Sequence, residues 1–68
     1  MIKFIVDEQA SINGGYLMHN ASLGCEDMPK LDEQILIGYF ANVELAYKRV
    51  RMNWPKEKVD ACSKCCSV

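Results

Sequence analysis

Very little in this sequence can start a catalytic cycle. It holds a single histidine, His19, and no serine or cysteine stands at a diagnostic offset from it, so a nucleophile–base pair has nothing to rest on. No G-x-G-x-x-G or G-K-[ST] follows Gly14-Gly15, which excludes the usual phosphate cradles. Net charge is only −1, and no strong field draws nucleic acid or an anionic membrane. Apolar runs are short: Lys3 and Asp7-Glu8 interrupt the first, and Asn42 and Glu44 end the one from Ile35 to Ala41. That is well under the roughly 20 residues a membrane helix needs. Lys3 also denies the first residues the apolar core of a signal peptide. The chain therefore reads as cytoplasmic and without membrane contact. Four cysteines in that compartment serve as thiols or metal ligands more often than as disulfides.

The 68 residues make one domain, near the lower size limit for a fold held by its core alone. A chain this short has little room for a deep substrate pocket besides, so we read it as non-enzymatic. Its charges are unevenly spread. Residues 1–33 sum to −4 and residues 34–68 to +3. Acids before a helix and bases toward its end complement the helix dipole, which accounts for much of this asymmetry.

Residues 2–6, β-branched or aromatic apart from Lys3, read as a strand. Asn13-Gly14 lies between two short apolar segments, as a two-residue hairpin turn requires. The expectation is a β-hairpin over 2–20, with 2–12 paired to 15–20, then a connection over 20–29. Asp27 would cap the next helix. From about 30 to 53, Leu36, Phe40, Val43, Tyr47, Val50 and Trp54 follow a 4-3-4-3-4 spacing, widened by Tyr39. That period predicts one long amphipathic helix, stopped at Pro55. In the tail, 55–68, Val59, Cys62 and Cys66 recur at i, i+3, i+7. The whole reads as an α+β domain: an N-terminal β-hairpin packed on one long helix, with a short C-terminal cysteine-bearing helix or knuckle.

A redox role for the Cys62-x2-Cys65 pair is disfavoured, because the pair falls at the C-terminal end of its expected helix, where the dipole raises a thiol pKa. Two further readings of the cysteine cluster carry more weight. In the favoured one, Cys62 and Cys66 are small buried hydrophobes on a short helix, with Cys65 partly exposed. In the alternative, the Cys62-x2-Cys65 pair joins His19 and Cys25 in a tetrahedral zinc site. A small domain would gain folding energy from such an ion. The loose His19-x5-Cys25 spacing argues against it.

Function follows from the helix seam. A hairpin and a short tail leave part of six large side chains uncovered, and each contributes roughly 1.5–3 kcal/mol when buried. A partner should cover the remainder: a larger protein, or a second copy in a homodimer. The partner-binding candidates are Leu36, Tyr39, Phe40, Val43, Tyr47, Val50 and Trp54, with Lys48, Arg49 and Arg51 beside them. The expected role is an adaptor or a stoichiometric inhibitor or regulator, a class that includes proteins of phages and other mobile elements. The alternative is a zinc-stabilised binding module touching nucleic acid through Lys48, Arg49 and Arg51. Nucleic acid is the less favoured partner, because Tyr47 and Trp54 belong to the apolar seam rather than to a stacking platform.

Overall fold

β-Branched and aromatic residues concentrate in Ile2–Asp7, and this strand, β1, becomes the centre of the molecule. The computed structural model describes residues 1–9, 14–26 and 28–66. Strand β2 (Tyr16–Asn20) runs antiparallel to β1, with Phe4 opposite Asn20 and Val6 opposite Met18. Strand β3 (Gln34–Phe40) flanks β1 on its other side, also antiparallel. Helix α1 (Val43–Asn53) follows, and strand β4 (Val59–Ala61) adds parallel to β2. The sheet order is therefore β3-β1-β2-β4, with α1 over one face. The α+β class expected from the sequence is what the chain adopts.

Alternation along the strands sorts the side chains. Phe4, Val6, Met18 and Val59 meet Ala46 and Val50 of α1 in a single core, closed at one end by Cys62, Cys65 and Cys66. Ile5 and His19, paired across β1 and β2, are equally buried but belong to the opposite face.

The long helix over 30–53 is corrected by the structure: only its second half is helical. Residues 34–40 form β3 instead, after a single 3-10 turn at Leu31–Glu33. Ile35, Ile37, Tyr39 and Phe40 carry high strand propensity. Gly38 takes a φ of +141°, outside the helical region. The register slips between Phe4 and Ile5, so Ile37 is extra and the strand bulges. That bulge returns Phe40 to the core side, where its ring lies 6.3 Å from Phe4 at 53°. The 4-3 spacing from Leu36 to Val43 was a coincidence of a bulged strand running into a helix.

The helix begins where its cap is. Asn42 has extended backbone and its Oδ1 accepts a hydrogen bond from Leu45 N–H at 2.9 Å. Asp27, the cap expected from sequence, lies outside the described residues, as do Ala10 to Asn13. The pairing of β1 with β2 stands, but not with the register of a two-residue Asn13-Gly14 turn. Such a turn would set Val6 opposite Ala21, whereas its partner is Met18. The second helix expected after Pro55 is replaced by β4 and a tight turn over 62–66, the knuckle option of the sequence reading.

Candidate metal centre

Three segments bring four candidate ligands to one point. Strand β2 supplies His19 from its buried face. The next turn supplies Cys25. Asn20 builds that turn, its Oδ1 accepting from Ser22 N–H at 3.0 Å and Leu23 N–H at 2.9 Å. Gly24 completes it with a φ of +87° and a bond from its N–H to the Asn20 carbonyl at 3.0 Å. A side chain at that backbone geometry is disfavoured, which is why glycine stands there. The five-residue gap that looked loose in sequence is an ordered Asx turn that folds Cys25 back toward His19.

The C-terminal turn supplies the rest. Cys62 N–H donates to the Met18 carbonyl at 2.9 Å, extending the β2–β4 ladder by one bond. Cys66 N–H then donates to the Cys62 carbonyl at 2.8 Å, closing the knuckle. Cys65 is 4% exposed, which overturns its expected partial exposure. Cys62 and Cys66 are buried as expected, yet on a turn rather than on a helical stripe.

One nitrogen of His19 and the sulfurs of Cys25, Cys62 and Cys65 all lie within 4.8 Å of one another. They are close enough to hold a metal ion. Zn–S bonds of about 2.3 Å and Zn–N bonds of about 2.05 Å give tetrahedral edges of about 3.8 Å between sulfurs and about 3.5 Å between sulfur and nitrogen. Cys25 Sγ and Cys62 Sγ are 3.7 Å apart, and Cys65 Sγ is 3.5 Å from His19 Nδ1. Two opposite edges thus have the tetrahedral length. All four cysteines are free thiols, and a 3.7 Å gap is far beyond a disulfide's roughly 2.05 Å.

Polar groups around the sulfurs match such a role. Asn20 N–H donates to Cys65 Sγ at 3.3 Å, an orienting contact of the kind that surrounds bound ligands. Burial pushes the Cys62 thiol up, but backbone N–H groups of Cys65 and Lys64, with the Cys25 and Cys65 thiols, outweigh it and bring it below the usual thiol value. At Cys65 and Cys66 burial dominates and pushes both thiols up. Cys66 stands outside the set of four, its Sγ donating to the Met18 carbonyl at 3.3 Å.

The partner-binding candidates do not share one surface. Leu36 and Tyr39 stand exposed on β3, at 59% and 58%. Phe40, Val43, Tyr47 and Trp54 pack half-buried around the core, and Val50 is fully buried in it. Lys48, Arg49 and Arg51 are exposed on α1, with the Arg51 guanidinium 5.8 Å from the Tyr47 ring centroid. Sequence reasoning missed Asn20 and Gly24, although an Asn followed four residues later by Gly is a readable turn signal. No helix among the described residues is long and apolar enough to cross a membrane. No protein-family model, curated protein or solved structure matches this chain.

Proposed function

We propose that this chain is a small zinc-stabilised, non-enzymatic interaction domain in which His19, Cys25, Cys62 and Cys65 hold one structural Zn²⁺. The observation that carries the reading is the convergence of one nitrogen and three sulfurs within 4.8 Å. Three thiolates and an imidazole in tetrahedral array favour zinc over harder cations. All four positions are filled by protein, which leaves none for a substrate and argues for structure rather than catalysis. The need is plain as well, since a domain of this size gains little from its core alone. Work is then left to the outer surface, where Leu36 and Tyr39 on one side and Lys48, Arg49 and Arg51 on another face a larger protein or a second copy.

Metal analysis of protein purified without chelator tests the centre. One zinc per chain is expected, together with loss of the folded signal on chelation. Folded protein with no metal would overturn it. Sedimentation of the same sample reads self-association independently.

A further inference from the structure

We propose that Cys25 is an oxidation site through which hydroperoxides unload the centre, an inference that rests on the zinc reading above. The four ligands differ in access. His19, Cys62 and Cys65 are buried, whereas Cys25 is only partly so. An open groove lined by Gly24, Cys25, Glu26 and Lys64 leads to it. Oxidation of cysteine follows thiolate character and exposure. A thiolate ligand reachable from solvent meets both conditions, and its two sulfur companions meet only the first.

A sulfur partner for Cys25 is already in position. Its Sγ is 3.7 Å from that of Cys62. Cys25 belongs to neither a strand nor the helix, and its turn is tied by Gly24 N–H to Asn20 and Met28 N–H to the Cys25 carbonyl. Cys62, by contrast, is pinned by the β2–β4 ladder. Forming a bond between them takes a closure from 3.7 Å to about 2.05 Å.

The chemistry closes in two steps. The Cys25 thiolate attacks one oxygen of the hydroperoxide, the O–O bond breaks, and the other oxygen leaves and takes up a proton as water or alcohol. Cys25 is then a sulfenic acid and a poor ligand. The Cys62 thiolate attacks its sulfur, an S–S bond forms, and hydroxide leaves and is protonated to water. Two thiolates have lost two electrons and the peroxide has gained them. Zinc keeps its oxidation state, but retains only His19 and Cys65, and it dissociates. A thiol reductant reverses the disulfide and restores the ligands.

The zinc-loaded full chain is titrated with hydrogen peroxide, with released zinc read by a chromophoric chelator and disulfides mapped by non-reducing peptide mass spectrometry. One zinc released per disulfide is expected, and the disulfide joins Cys25 to Cys62. Cys25→His keeps a ligand at the position and removes the thiol, so release at equal peroxide should slow on the order of tenfold or more. Cys66→Ser should release zinc like the parent chain. A first disulfide joining Cys62 to Cys65 or Cys65 to Cys66 would overturn the proposal, as would undiminished release from metal-loaded Cys25→His. Should that variant hold no zinc, the disulfide map of the parent decides by itself. A parent chain that binds no zinc would sink the proposed function, and its own peroxide map would still judge the site: a Cys25–Cys62 bond supports it and any other pairing overturns it.

Discussion

On one flank of the β1–β2 pair, β3 runs beside β1 from Ile2 opposite Phe40 to Asp7 opposite Gln34. On the other flank, β4 meets β2 only from Tyr16 opposite Val59 to Met18 opposite Ala61. The first flank has a long antiparallel ladder and an aromatic pair, Phe4 with Phe40. The second has a short parallel ladder, a less stable pairing per residue, and all four cysteines beside it. Side-chain ligands thus gather where backbone pairing is weakest. A metal there would do for β4 what ladder and aromatic packing do for β3: fix a strand that closes a long excursion of the chain.

The largest effect that would test this contrast comes from the ligands. Cys62→Ser and Cys65→Ser should each cost several kcal/mol, because bound zinc contributes directly to folding. Chemical denaturation with and without added zinc checks this. If both variants matched the parent in both conditions, the β4 flank would need no ion and the contrast would collapse.

On the opposite flank, Phe4→Ala should cost about 3–5 kcal/mol through the cavity it opens. It should leave the zinc count unchanged wherever the variant still folds. Loss of zinc from folded Phe4→Ala would mean that the two flanks are one cooperative unit.

Smaller effects sharpen the boundary between them. Cys66→Ser should cost roughly 1 kcal/mol, from a buried hydroxyl that keeps the Met18 carbonyl as its acceptor, and should retain zinc. Zinc loss in that variant would move Cys66 into the ligand set. Asn42→Ala removes the α1 cap for about 1 kcal/mol, detectable as a lower midpoint with an unchanged zinc count.

The cysteine–histidine set is legible in the sequence by its chemistry, whereas its spacing speaks against it. Spacing along the chain treats the residues between His19 and Cys25 as slack. Asn20 and Gly24 make them a defined turn, and only a search for that turn would have shown it. The helix failed for a different reason. Leu36, Phe40 and Val43 satisfy a helical period, and periodicity alone does not see a β-bulge. Ile35 and Ile37 before Gly38, with Tyr39 and Phe40 after it, carry the contrary local signal. Burial of Cys65 was hidden because it arises from closure of β4 beside β2, a pairing remote in sequence. What local pattern expressed strongly, such as β1 and the end of α1 before Pro55, was legible.

The bulge at Gly38 has a consequence for solubility. β3 is an outer strand of the sheet, and Ile35 to Phe40 is an uncharged, β-prone stretch with Leu36 and Tyr39 facing solvent. Such an edge is a template for a strand from another molecule. The extra residue breaks the even spacing of backbone donors and acceptors midway along it, so an incoming strand can register with only one half at a time. Only glycine holds that interruption without strain, because a φ of +141° is one that L side chains rarely adopt and a Cβ at position 38 would meet the Phe40 ring at 3.3 Å.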